Sequence, residues 1–172
     1  MDSVARVNDP APSFELEGLD GELHDPAQVR GKLLVLNFWS AECPWAERAD
    51  ELLKPLRQEW GDSVELWAIA SNENEDQDEI REVARARGLP VVLHDENHAV
   101  ADLYGAQTTP HLYVIDREGI LRYMGALDDT TFRKREPERH YLAAAIRALL
   151  AGELPEPKET PGYGCTIVRH QL

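Results

Sequence analysis

Continuous apolar runs alternate with helically spaced ones along this chain. Leu33-Leu34-Val35-Leu36-Asn37-Phe38 and Val64-Glu65-Leu66-Trp67-Ala68-Ile69-Ala70 are short and unbroken, which predicts buried strands. Leu112-Tyr113-Val114-Ile115 and Ile120-Leu121-Arg122-Tyr123-Met124 flank Asp116-Arg117-Glu118-Gly119 and predict a hairpin. Val91-Val92-Leu93 adds a short strand. After Pro44, Leu52, Leu53, Leu56 and Trp60 return at helical spacing, with Gly61 as a C-cap. Residues 76–87 carry Ile80, Val83, Ala84 and Ala86 among charges, an amphipathic helix closed by Gly88. A short helix is predicted over 99–104 before Gly105, and an apolar-striped one over 141–150. Near the N-terminus, Phe14 and Leu16, then Leu23 and His24, flank Gly18-Leu19-Asp20-Gly21 as a hairpin, and a turn of helix fits between Asp25-Pro26 and Gly31.

The ends read differently. The first dozen residues are polar with two prolines, a loosely held arm. From Glu153 onward Pro155, Pro157, Pro161, Gly162 and Gly164 predict no regular structure. Strands alternating with helices, then a hairpin and a last helix, give an α/β fold with a mixed sheet. The division expected is a body over 1–152 and a tail over 153–172.

A length of 172 residues is one domain with a real core. A net charge of −14 argues against nucleic acid and anionic membrane surfaces as partners. The segment from Met1 to Pro10 has no apolar h-region, and no stretch has the length of a membrane span, so a cytoplasmic location is expected. Two cysteines are too few for a disulfide scaffold, and with six histidines they form no metal-binding spacing. No metal or other cofactor is expected.

Cys43 is the candidate centre of chemistry. It follows a buried strand and stands at the start of a helix, where free N–H groups and the helix dipole favour an anion. For cysteine that anion is the nucleophilic thiolate. Pro44 suits the first helical turn, which has no use for its missing N–H. The plain alternative is a small core residue. Trp39 is expected to pack beneath Cys43 and Trp45 to sit at its rim. His111 is expected to be a partly buried, satisfied imidazole, the run from Glu73 to Glu79 a solvated helix start, and Asp128-Asp129 a turn or cap.

Four motifs in order resemble the thioredoxin-like superfamily, within it the peroxiredoxin-like branch of the alkyl hydroperoxide reductase/thiol-specific antioxidant (AhpC/TSA, redoxin) family. They are Phe38-Trp39-x-x-x-Cys43-Pro44, then Asp95-Glu96-x-x-x-Val100-Ala101-x-x-Tyr104-Gly105-Ala106. Thr109-Pro110 with Tyr113-Val114-Ile115-Asp116-x-x-Gly119 follows, and Gly164-Cys165-Thr166-Ile167 closes the series. The resemblance implies a thioredoxin-like fold: a central mixed sheet flanked by helices, an N-terminal hairpin and an extended C-terminal tail. It implies a cis proline at Pro110 opposite Cys43, with the Thr109 backbone free to pair with an extended substrate. It also implies a peroxide polarised by the Ser40 hydroxyl, a nearby arginine for which Arg48 is the local candidate, and substrate contacts from Pro44, Trp45, Thr109 and Pro110.

The departures are specific. Position 46, where a dithiol enzyme carries its second cysteine, is Ala46, and the proline expected four residues before Ser40 is Leu36. Glu42, Glu47 and Asp50 oppose a thiolate by like charge. Cys165 is either a resolving thiol that attacks a Cys43 sulfenic acid or a packed tail residue with no contact to Cys43. Three functions stay open. One is a thiol peroxidase drawing on a thioredoxin-like or small-thiol reductant. Another is a monothiol protein that forms mixed disulfides with protein partners. The last is a non-catalytic redox-sensing or binding module.

Overall fold

The computed structural model describes residues 4–169. Leu16–Glu17 (β1) and Leu23–His24 (β2) form the expected hairpin, followed by a 3-10 turn over Pro26–Val29 whose cap, Asp25, accepts the Ala27 N–H. Leu33–Trp39 (β3), Val64–Ala70 (β4) and Val92–His94 (β5) are parallel neighbours. Thr108–Thr109 (β6) leads into His111–Ile115 (β7), which runs antiparallel to β3 and pairs with Leu121–Gly125 (β8). The five-stranded sheet is therefore ordered β5-β4-β3-β7-β8. Pro44–Trp60 (α1), Gln77–Arg87 (α2), Ala99–Tyr104 (α3) and Tyr141–Leu150 (α4) complete the body.

Every residue of β3 is buried, because side chains alternate across the sheet and both faces are covered. Leu34, Leu36 and Phe38 join Phe14, Trp67, Tyr104 and Tyr113 on one side. Leu33 and Val35 pack on the other against Ala49 and Leu53 of α1 and Leu142 and Ile146 of α4. The buried Asp95 fixes the start of α3, accepting the N–H groups of Val100 and Ala101 and the Ser71 hydroxyl. The mixed sheet with helices on both faces and its small N-terminal hairpin are as the sequence predicted. Among the described residues no helix is long and apolar enough to cross a membrane.

Two expectations fail for the same reason. The N-terminal arm is held at the sheet edge: Asn8 N–H donates to the Leu121 carbonyl at 2.7 Å, Leu121 N–H donates to Asp9, and Ala5 is buried. The tail also has regular structure. Thr160 N–H donates to the Met124 carbonyl, and Cys165–Thr166 (β9) pairs antiparallel with β6. Proline and glycine mark where a segment cannot form its own ladder, yet they leave its other backbone groups free to complete one elsewhere. Ile167, just beyond β9, is 3% exposed and belongs to the main core.

The tail is thus part of what holds the molecule together. Ile167→Ala is expected to lower unfolding free energy by about 2–5 kcal/mol, the range for truncating a buried aliphatic side chain. Urea denaturation followed by circular dichroism measures this. An unchanged midpoint would show that Ile167 contributes no core packing.

Candidate functional site

Cys43 is the N-cap of α1, with Pro44 as the first helical residue. Its backbone is extended while the next residues are helical, so its sulfur turns back over the first turn. There Sγ accepts the Ala46 N–H at 3.4 Å, one of the amides left unpaired at a helix start. On its other side Sγ donates to the Thr109 carbonyl oxygen at 3.1 Å. The Thr109–Pro110 bond is cis, as the resemblance implied. The amide supports charge on the sulfur and the carbonyl supports the thiol. Cys43 is 3% exposed and packs with Trp39, Ala41 and Ala46.

The tail brings Cys165 to the same place. In the β6–β9 ladder Thr109 is the register partner of Cys165, and Thr108 of Thr166. Burial pushes the Cys165 thiol up to about 11, hydrogen bonding with Cys43 and the charge of Cys43 push the same way, and the Trp45 backbone opposes them. Cys165 is therefore a neutral thiol at ordinary pH. Both cysteines are free. Cys165 packs against the buried cluster that holds Cys43.

Trp39 lies fully buried under the cysteine loop, its Nε1–H donating to Asp50 at 2.8 Å. Trp45 is half-buried at the rim and meets the Tyr163 ring edge-on at 5.1 Å between centroids. Tyr163 in turn accepts the Phe132 N–H on its hydroxyl. His111 is buried, accepts the Gln107 N–H on Nδ1, and is pushed down to about 4 by burial, so it stays neutral.

Three site expectations need correction. The Ser40 hydroxyl donates to the buried Glu75 carboxylate at 2.7 Å, so its proton is not offered to a ligand at Cys43. Glu75 also accepts the Glu42 N–H at 3.2 Å, and the pair fixes the turn before Cys43. Glu75 lies within the run expected to be solvated, and its partner is 35 residues away in sequence, so nothing local marks it. Arg48 is turned away to Asp128, at 2.8 Å, and to Thr130, at 3.0 Å. The guanidinium that reaches the cysteine loop is Arg87 on α2. It donates to the Ala41 carbonyl at 3.0 Å and to Asp50 at 3.1 Å, and it lies over the Trp39 ring. Burial holds the Asp50 carboxyl above its ordinary range against the Trp39 and Arg87 hydrogen bonds. Asp20, Glu22 and His24 form the metal-compatible cluster among the described residues, but they lie on the β1–β2 hairpin, where Asp20 already accepts the Glu22 N–H.

What this arrangement can do is give up two electrons and two protons to an external oxidant by closing a Cys43–Cys165 disulfide, and take them back from an external reductant. It also sets how Cys165 reacts with pH. With the Cys165 thiol near 11, roughly one molecule in a thousand carries its thiolate at pH 8, and only the thiolate is alkylated. Iodoacetamide labelling of Cys165, mapped by mass spectrometry, is expected to rise about tenfold per pH unit between pH 7 and 10. In Cys43→Ser it is expected to be faster at each pH, because the charge and hydrogen bond of Cys43 are gone. A plateau below pH 9 in the unaltered chain would contradict the assignment.

The similarities to known proteins agree with this geometry. Residues 7–124 match the AhpC/TSA family. A thiol-disulfide oxidoreductase ResA of Halalkalibacterium halodurans is 34% identical over 120 residues, 68% of this chain and 66% of that protein. The chain thus spans about two thirds of that relative's length. A second ResA, of Geobacillus kaustophilus, is 30% identical over 80% of this chain and 78% of its own length. The solved structure of a hypothetical protein from Sinorhizobium meliloti superposes with a TM-score of 0.88 at 27% identity, covering 99% of this chain and 98% of that one. An uncharacterized conserved protein from Geobacillus kaustophilus gives 0.87 at 28%, covering 100% and 95%. Coverage this complete takes in the tail. With the strand–Cys–Pro turn and the cis proline in place, the chain has a thioredoxin-like fold and belongs to the AhpC/TSA family.

Proposed function

We propose that the chain is a thiol-dependent oxidoreductase in which Cys43 and Cys165 cycle between dithiol and disulfide, with a hydroperoxide as the oxidant. The observation that carries this reading is Cys165 held in register with Thr109, beside a Cys43 sulfur at a helix N-terminus. Ala46 leaves α1 without a second thiol, and the tail supplies it. The names of the relatives support the thiol-disulfide part of the reading. The near-complete burial of Cys43 supports a small oxidant.

The Cys43 thiolate attacks one peroxide oxygen. The O–O bond breaks, the distal oxygen leaves with a proton as alcohol or water, and Cys43 becomes a sulfenic acid. Amides of the first turn of α1 are the donors available to the peroxide, since Ser40 is engaged by Glu75. Cys165, as thiolate, then attacks the Cys43 sulfur, and the sulfenic oxygen leaves as water. Two equivalents of an external thiol, from a thioredoxin-like protein or a small molecule, reduce the disulfide and are themselves oxidised to a disulfide. Cys165 is the more exposed of the two sulfurs, which favours it as the point of attack.

Stoichiometric hydrogen peroxide added to the reduced chain is expected to give a Cys43–Cys165 disulfide on peptide mapping. Cys165→Ser is expected to stop at the Cys43 sulfenic acid, trapped with dimedone. Cys43→Ser is expected to reduce peroxide consumption to background. An unmodified Cys43 would overturn the peroxidase reading.

A further inference from the structure

The strand edge facing Cys43 is filled from within the chain. β6 offers two residues, and both are paired with β9. At the crossing, Gly164 lies so close to the Thr109 carbonyl that a Cβ there would stand 2.1 Å from its oxygen and 2.7 Å from its carbon. No residue with a side chain fits without moving one strand. The crossing is anchored on both sides. Upstream, Tyr163 packs on Trp45 and accepts the Phe132 N–H. Downstream, Ile167 N–H donates to Gln107, Val168 N–H donates to the Asn72 side chain at 2.8 Å, and the Val168 carbonyl accepts the Glu73 N–H.

An extended polypeptide presents its sulfur at such an edge by adding a strand to it. Here that strand is already present, with its own cysteine opposite Thr109. We propose that β9 is a resident strand that sets the substrate class of the site: small oxidants reach Cys43, and polypeptide disulfides are excluded while the tail is docked. The proposal rests on the reading of Cys43 as the reactive thiol. A hydroperoxide places two oxygen atoms at the sulfur and needs no pairing. A polypeptide disulfide needs the Cys43 thiolate to attack one of its sulfurs while the other departs as a thiolate, so its backbone must come close. It then competes with a tethered strand whose effective concentration is on the order of millimolar.

The test uses the full chain, reduced, and two variants that keep both cysteines. Gly164→Val puts a side chain against the Thr109 carbonyl. Val168→Pro removes the N–H that anchors the tail to Asn72, at a residue that is 42% exposed, so the core is untouched. Circular dichroism checks folding, and faster alkylation of Cys165 reports release of the tail. The probes are hydrogen peroxide and a disulfide-linked dimer of a short peptide with a central Gly-Cys-Thr-Ile. A mixed disulfide between Cys43 and this peptide is expected to form about tenfold or more faster in a released variant than in the unaltered chain. Peroxide is expected to oxidise Cys43 in all three proteins. Equal peptide exchange in the unaltered chain and a released variant would overturn the resident strand, whatever peroxide does. Faster peptide exchange on release with Cys43 inert to peroxide throughout would uphold the strand and overturn the peroxidase reading.

Discussion

The carbonyl of Thr109 is the contact on which the arrangement of this site depends. It accepts the Cys43 sulfhydryl, its residue is the register partner of Cys165, and Gly164 lies so close to it that a Cβ there would stand 2.1 Å from its oxygen. One turn of backbone thus sets the distance between the two sulfurs and the space left around them. The elements behind it are rigid: β7 continues from Pro110 into the middle of the sheet, and all its residues are buried.

The acidic side chains around Cys43 are held by specific partners. Asp50, two helical turns after Cys43, is tied to Trp39 and Arg87. Glu47 lies 3.9 Å from the same guanidinium. Glu75 receives the Ser40 hydroxyl and the Glu42 amide. The cysteine loop is therefore braced by α2 and by the loop before it, and Arg87 is the cation that links them. Arg48 on the exposed side serves instead to hold the segment around Asp128 against α1.

With Ala46 at the position where a dithiol helix carries its second cysteine, the other thiol of this chain lies outside α1. In a two-cysteine helix the partners share one turn and the strand edge stays open. Here the second thiol arrives on a strand of its own, from a tail that also contributes Ile167 to the core. Strand pairing and core packing of the tail are thereby one structural unit.

Much of this was legible in the chain because its signals are local. The unbroken apolar runs at 33–38 and 64–70, the helical spacing after Pro44 and the Asp116-to-Gly119 turn each specify an element through nearest neighbours. So does the place of Cys43 between a buried strand and a helix start. Tertiary structure alone decided the rest. The order of strands, the burial of Glu75, the choice of Arg87 over Arg48 and the docking of β9 all rest on partners far apart in sequence. A proline- and glycine-rich tail announces only that it will not form structure by itself. Whether it completes a ladder depends on an edge with unpaired backbone groups, and that edge exists only once β3, β7 and the Thr109–Pro110 turn have assembled.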